Sequence, residues 1–329
     1  MTGAPATPTR PRRARAATAW ALTYTAFGLT CALSGTPLFH LGDTPGPPAL
    51  TWATVALGTL SAATGAATTR YGPRPALRGL LWTACALATL AAFGLLMDLI
   101  TLAFGQGVDH APTALQHALA AAGAVLLAAT ARPCPSPSPA RHAHRRRAHV
   151  AAWTGTLAFL PYVAMKLTWT AGGTFAGLTG DEMLAASRRN GASDFWLTLE
   201  SWGLDATVLL AALGTLLLWS LVRPWGRTFP RWTPWLRHRP VPRWLPLTPA
   251  VLGAATLVPY GLLGLGYAAL SALGAVPIRR GDFPTPADAL LVTWIGMLAF
   301  AGYGLALATA AHSYWRRTAR RPTDADGLT

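Results

Sequence analysis

Residues 290–311 read LLVTWIGMLAFAGYGLALATAA and contain no charged side chain. A helix needs about 20 predominantly apolar residues to cross the hydrocarbon core of a bilayer. The sequence has eight apolar runs of near-spanning length, at 18–35, 49–68, 79–104, 112–131, 150–172, 202–222, 248–273 and 287–312. It therefore predicts an all-α integral membrane protein with about eight transmembrane helices.

Composition supports this class. Of the 329 residues, 52% are hydrophobic and only 12% are charged, whereas soluble domains carry about 25% charged residues. The net charge of +15 is also typical of nucleic-acid binding, but the arginines stand in short loops between the apolar runs. Basic residues in such loops orient a multi-pass protein. We therefore expect the lipid bilayer, and no nucleic acid, as the partner.

The arginines also predict the orientation. Twenty-two of them lie in the N-terminal tail, the second, fourth and sixth loops and the C-terminal tail, and only Arg188, Arg189, Arg279 and Arg280 lie on the alternate side. Positively charged loops stay in the cytoplasm. We expect a protein of the cell membrane with both termini cytoplasmic.

The two halves of the chain resemble each other. YTAFGLTCALSGT (24–36) aligns without a gap with YVAMKLTWTAGGT (162–174), and four shorter matches follow in the same order: VALGTL (55–60) with AALGTL (211–216), RYGPRP (70–75) with RPWGRTFPRW (223–232), FGLL (93–96) with YGLL (260–263), and GAVLLAATA (123–131) with GYGLALATA (302–310). Four spans return the chain to its starting side, so the repeats would be parallel, which is one known transporter plan. A duplication that has kept no symmetric function is the alternative.

The predicted organisation is a basic tail (1–17), a first four-helix repeat (18–131), a cytoplasmic linker (132–149), a second repeat (150–315) and a C-terminal tail (316–329). The linker is rich in proline, serine and arginine, so we expect it not to pack. Its basic residues suit anionic lipid headgroups.

The longest external loop contains TGDEMLAASRRNG (179–191), which predicts a short external helix near 180–190. Thr179 and Glu182 have the spacing of a capping box, and the Asn-Gly pair that follows the arginines is a stop signal.

The stretch RPWGRTFPRW (223–232) combines arginines with tryptophans. Tryptophan favours the membrane interface, and arginine reaches the headgroups. We expect an interfacial anchor made of Arg223, Trp225, Arg227, Arg231 and Trp232. Together with MKLTWTAGG (165–173), this stretch resembles loops of uncharacterised actinobacterial multi-pass membrane proteins. The resemblance implies an architecture and no activity.

Four ionisable residues fall inside apolar runs: Lys166, which is the only lysine, Asp98, Asp205 and His117. Such residues are costly in a membrane and usually face a partner or a cavity. The predicted topology puts all four in the outer part of the membrane, so we expect a polar cluster with Lys166 beside Asp98 or Asp205. The alternative is that Lys166 extends outward to the headgroups.

The aligned positions in the other half are Gly28 for Lys166, Ala49 for Asp205, Leu265 for Asp98 and Gly296 for His117. A site built from the four residues would therefore be asymmetric.

Common catalytic motifs are absent: there is no P-loop, dinucleotide fingerprint, H-E-x-x-H or G-x-S-x-G. The three cysteines are far apart, and we expect no metal and no cofactor. A small-solute carrier or permease is the preferred interpretation, and an enzyme is the less favoured one. A membrane-embedded enzyme that acts on a lipid or isoprenoid and a non-catalytic subunit or immunity-type protein stay open.

Overall fold

A computed structural model describes residues 9–41, 44–72, 74–103, 107–108, 110–132, 141–189, 192, 194–229 and 239–318. The helices are α1 (Thr9–Leu33), α2 (Pro48–Tyr71), α3 (Pro75–Ala91), α4 (Leu95–Ala103), α5 (Ala111–Ala131), α6 (Arg141–Thr170), α7 (Gly180–Arg189), α8 (Asp194–Ser201), α9 (Ala206–Ser220), α10 (Trp244–Ala272) and α11 (Pro286–Thr318). Two short antiparallel hairpins pair β1 (His40–Leu41) with β2 (Thr44–Pro45), and β3 (Thr174–Phe175) with β4 (Leu178–Thr179). The fold is thus all-α apart from these hairpins.

Six helical segments in the described part of the chain are long and apolar enough to cross a membrane. They are Arg12–Leu33, Pro75–Leu102, Ala111–Ala131, Arg146–Thr170, Trp244–Ala272 and Pro286–Thr318. The segment Pro75–Leu102 joins α3 and α4 across a short turn. Helix α9 is apolar but has only 15 residues, and α2 has 24 residues but is not among the six.

The exposed surface of these helices fits a lipid environment. Only 22–39% of each apolar window is buried within the protein, and large side chains such as Leu157 and Leu298 are exposed. A helix that is apolar on all sides needs a core or a membrane around it. The protein itself covers only part of these surfaces, so they indicate a membrane protein.

The chain divides into two compact units. The first comprises Met1–Leu102 and Gly107–Ser138. In it, α1 contacts α2 and α5, and α3 contacts the same two helices. Its interior includes Tyr24, which stacks on Trp20 and is fully buried. The Trp20 indole donates a hydrogen bond to the Leu119 carbonyl at 2.8 Å, which ties α1 to α5.

The second unit comprises Ala103–Gln106 and Pro139–Thr329. In it, α6 contacts α9 and α11, and α10 contacts the same two helices. Phe159 lies at the centre of the core, with its ring edge-on to Tyr303 at 4.6 Å between centroids.

Glycines let helices cross closely in each unit. A Cβ atom on Gly123 of α5 would lie 1.8 Å from the Trp20 ring of α1, and one on Gly302 of α11 would lie 2.9 Å from the Ala158 Cβ of α6. No larger residue fits at Gly123 without a shift of its neighbours.

Several boundaries differ from the sequence predictions. Helix α6 begins at Arg141, so its first turns occupy part of the range predicted as a linker; arginine and alanine are good helix formers, and the prolines lie before them. The third apolar run is divided at 92–94, where Gly94 lies against His117. The hairpins were not predicted.

Candidate functional site

Lys166 forms an ion pair with Asp205 in the second unit. The distance from Lys166 Nζ to Asp205 Oδ2 is 3.0 Å, and the two side chains are 17% and 7% exposed. Of the two carboxylates that the sequence offered as partners, the structure places Asp205 beside the lysine. A buried pair of this kind leaves a costly unpaired charge when either partner is removed.

The start of helix α9 holds the carboxylate in place. Asp205 is the N-cap residue, and its Oδ1 accepts hydrogen bonds from the backbone N–H groups of Thr207 at 2.7 Å and Val208 at 3.0 Å. The Thr207 hydroxyl donates to the same oxygen. Aspartate is a favoured N-cap residue because it satisfies these otherwise free donors. One oxygen therefore caps the helix while the other holds Lys166.

Lys166 lies one turn before the end of helix α6. The Thr170 hydroxyl donates to the Lys166 carbonyl at 2.7 Å, and the ammonium group stands 5.8 Å from the centroid of the Trp169 ring. A cation near the face of tryptophan gains a favourable electrostatic contact. The lysine thus has an aromatic neighbour as well as a carboxylate.

A second carboxylate, on Glu200 of α8, is close enough to Lys166 and Asp205 to interact with both charges. Burial and the negative charge of Asp205 raise the pKa of Glu200, and Lys166 opposes that rise. Such perturbed groups concentrate at functional sites. We refer to Lys166, Asp205 and Glu200 as the lysine centre. Sequence analysis missed Glu200, although an acidic residue five positions before Asp205 in a chain with 12 acidic residues was an available signal.

The segment between α6 and α9 is bound to the end of α6. The Trp169 indole donates to the carbonyls of Phe175 and Leu178 at 3.2 and 3.1 Å. The hairpin turns at Ala176 and Gly177, which both have positive φ, as a tight two-residue loop requires. These hydrogen bonds hold the start of the segment against Trp169, three residues after Lys166.

Helix α7 follows this hairpin and has the capping box at its start. The Thr179 backbone N–H donates to Glu182 Oε2 at 2.8 Å, and the Glu182 N–H donates back to the Thr179 hydroxyl at 3.3 Å. Hydrogen bonding from Thr179 lowers the pKa of Glu182. At the other end of α7, Arg189 forms an exposed ion pair with Asp282 at 2.9 Å. The stop signal at 190–191 lies outside the described residues.

The first unit contains the other two predicted residues. His117 Nδ1 of α5 lies 2.7 Å from Asp98 Oδ2 of α4, and the side chains are 13% and 19% exposed. The structure thus shows two pairs, Lys166–Asp205 and Asp98–His117, one in each unit. Gln116, which precedes His117 in the chain, and Tyr24 are fully buried polar residues that the sequence did not point to. The Gln116 amide donates to the Tyr24 hydroxyl at 3.2 Å.

Two histidines meet at hairpin β1–β2. The rings of His40 and His110 stack with 3.9 Å between centroids, and His40 Nδ1 lies 3.0 Å from the Thr113 hydroxyl. Burial, followed by the charge of His110, lowers the pKa of His40.

The predicted interfacial anchor is described in part. Arg223 lies over the Trp219 ring at 5.1 Å, Trp225 is exposed, and the backbone N–H of Val241 donates to the Arg227 carbonyl at 2.8 Å. The Tyr314 hydroxyl of α11 donates to the Gly226 carbonyl at 2.8 Å, which fixes the turn. Arg231 and Trp232 lie outside the described residues.

The lysine centre can exchange a proton or bind a charged group. It contains one lysine and two carboxyl groups, so its acidic groups outnumber its basic group by one. Within the described ranges, no three His, Cys, Asp or Glu side chains come together as a metal site. No protein family model, curated protein or solved structure matches the chain.

Proposed function

We propose that the protein is a multi-pass carrier of small solutes in the cell membrane, and that the lysine centre is its site of proton or solute binding. The observation that carries the proposal is the buried Lys166–Asp205 ion pair, whose charges also act on the pKa of Glu200. Ionisable residues at membrane depth commonly mark substrate or proton pathways.

The proposed topology has eight spans, with α2 and α9 added to the six membrane-length segments. The arginine distribution supports cytoplasmic termini. The C-terminal end of α6, where Lys166 lies, would then face the outside, and the lysine centre with it.

The proposed repeat pairs α1, α2, α3–α4 and α5 with α6, α9, α10 and α11. In each unit the first and third helices contact the second and fourth, and a hairpin follows the first helix. The sequence alignment pairs Gly123 with Gly302, and its first segment, extended four residues toward the N-terminus, pairs Trp20 with Ala158. These are the residues that meet at the two close helix crossings. Parallel repeats of this kind occur in known transporters.

Glu200 suggests how the centre works. Because its pKa is raised, it takes up a proton more readily than an ordinary glutamate, and that proton removes the excess negative charge beside Asp205. Release of the proton, or arrival of a cationic group, would then change how strongly Lys166 is held. A charge change that loosens a buried ion pair can bias two conformations of a carrier.

The test compares a strain that lacks the gene with strains that carry the wild type, Lys166→Met or the control Arg189→Gln. The control breaks the exposed Arg189–Asp282 pair, which contributes little energy. Cell-to-medium ratios of small solutes and the lipid composition are measured at matched membrane levels of each protein. We expect at least one solute ratio to change on gene loss and to be restored by the wild type and the control, but not by Lys166→Met.

Full restoration by Lys166→Met would contradict a role for the lysine centre. A change confined to the lipid composition would favour the enzyme interpretation instead.

A further inference from the structure

An open groove of about 450 Å³ runs between α6 and α11 in the second unit. Its apolar walls include the exposed side chains of Val150 and Leu305, and its floor includes the buried Ala151 and Ala306. The small floor residues account for its depth, since larger side chains would fill it. It lies beside the close approach of Gly302 to Ala158.

Two arginines stand at one end of the groove. Arg146 and Arg147 line it and are exposed, and neither has an ion pair with any acidic side chain that the structure describes. The first of them is also the first residue of the membrane-length segment Arg146–Thr170. The guanidinium groups therefore mark the edge of the apolar segment, while the groove extends along it.

We propose that this groove binds a phospholipid with an anionic headgroup, with the phosphate on Arg146 and Arg147 and an acyl chain along the apolar walls. Charge complementarity supports the headgroup, because guanidinium groups bind phosphate in a bidentate manner. Basic pockets between transmembrane helices are a known mode of anionic lipid recognition.

The position of the groove supports a lipid over a soluble phosphate. A free phosphate ion would leave the apolar walls uncovered. An acyl chain covers them and places its headgroup at the membrane edge, where the arginines are. The proposal needs a membrane around α6 and α11 but does not depend on the carrier function.

The test uses the full-length protein, purified in detergent with its lipids removed, and titrated with phosphatidylglycerol or phosphatidylcholine while bound lipids are counted by native mass spectrometry. Wild type is compared with Arg146→Gln/Arg147→Gln and with the control Arg279→Gln/Arg280→Gln, which removes an equal charge from another adjacent exposed pair. The thermal unfolding temperature checks that each variant is folded.

We expect the preference for phosphatidylglycerol over phosphatidylcholine to fall by about fivefold for each groove arginine removed. The control pair should keep the wild-type preference. An unchanged preference in the groove variant, or an equal loss in the control, would overturn the proposal.

A second pair of variants tests the acyl chain. Thr154→Phe fills the groove from one of its lining residues, whereas Leu157→Phe adds bulk at an exposed position of the same helix that does not line it. We expect only the first to weaken phosphatidylglycerol binding. If both bind as the wild type does, or if inorganic phosphate displaces the lipid, then the groove holds no acyl chain and the proposal is wrong.

Discussion

The first two helices of each unit meet in different ways. In the first unit, α1 and α2 pack through small residues: a Cβ atom on Gly28 would lie 3.2 Å from Thr54 and Val55, and one on Gly58 would lie 2.4 Å from the Thr25 hydroxyl. In the second unit, α6 and α9 carry Lys166 and Asp205, paired at 3.0 Å. Lys166 aligns with Gly28 in sequence, so one position serves close packing in one unit and charge pairing in the other.

The lengths of the second helices explain part of this difference. Helix α2 has 24 residues, and α9 has 15 and begins just after Asp205. A helix that begins beside its neighbour presents free backbone N–H groups there, and Asp205 binds them while it also holds the lysine. The two helix pairs therefore differ in what joins them: glycine contacts join α1 to α2, and an ion pair at the start of α9 joins α9 to α6.

The largest expected effect comes from breaking the pair that distinguishes the second unit. Asp205→Asn keeps a residue that can cap α9 but removes the ion-pair partner of the buried Lys166 ammonium. We expect the free energy of unfolding to fall by about 3–5 kcal/mol, measured by chemical denaturation in detergent. Asp282→Asn is the control, because it breaks the exposed pair with Arg189 and should cost about 0–1 kcal/mol. Equal effects of the two changes would show that burial does not strengthen the Lys166–Asp205 pair.

The next effect is a smaller loss of stability, and it should differ between the close helix crossings at Gly123 and Gly302. Gly123→Ala would place its Cβ atom 1.8 Å from the buried Trp20 ring, whereas Gly302→Ala would place its own 2.9 Å from a single methyl group. We expect Gly123→Ala to cost about 1–3 kcal/mol through overpacking and Gly302→Ala to cost less. Thermal unfolding of both variants gives the order, and the reverse order would show that the crossings are packed differently from this description.

Much of the fold follows from the sequence, because apolar runs near 20 residues long report membrane-length helices directly. The start of α7 could also be predicted, since Thr179 and Glu182 make local hydrogen bonds that depend only on their spacing. The hairpins could not be predicted, because each strand has two residues, too few for an alternating pattern. The break at 92–94 was not predicted either; it lies where Gly94 is packed against His117 of α5, and this tertiary contact has no signal in the local sequence.

For the candidate site, the sequence predicts which residues take part but not which of them pair. The cost of burying a charge predicts that Lys166 needs a partner, but the choice between Asp98 and Asp205 depends on which helix packs against α6. Glu200 was missed because only the folded chain brings its charge close enough to Lys166 and Asp205 to interact with them.

The smallest expected effect is a change in how stability depends on pH, and it concerns the first hairpin and not the second. His40 in the first hairpin has a lowered pKa, whereas the strands of the second hairpin, Thr174–Phe175 and Leu178–Thr179, contain no histidine. A histidine with a lower pKa in the folded state binds fewer protons there than in the unfolded state, so stability falls as pH drops from about 7 through the usual histidine range. We expect His40→Gln to reduce this fall, measured as the unfolding temperature between pH 7.5 and 5.5.

The wild type, measured in parallel over the same pH range, is the reference for this change. If His40→Gln loses as much stability on acidification as the wild type, the histidine pair does not set the pH response of the first hairpin.

A double-mutant cycle measures whether Lys166 and Asp205 stabilise each other inside the second unit. The free energy of unfolding is measured for the wild type, Lys166→Met, Asp205→Asn and the double variant. We expect a large loss in each single variant and a double variant no less stable than either, because neither partner of the ion pair is then left buried without the other. A double variant whose loss equals the sum of the two single losses would contradict the claim.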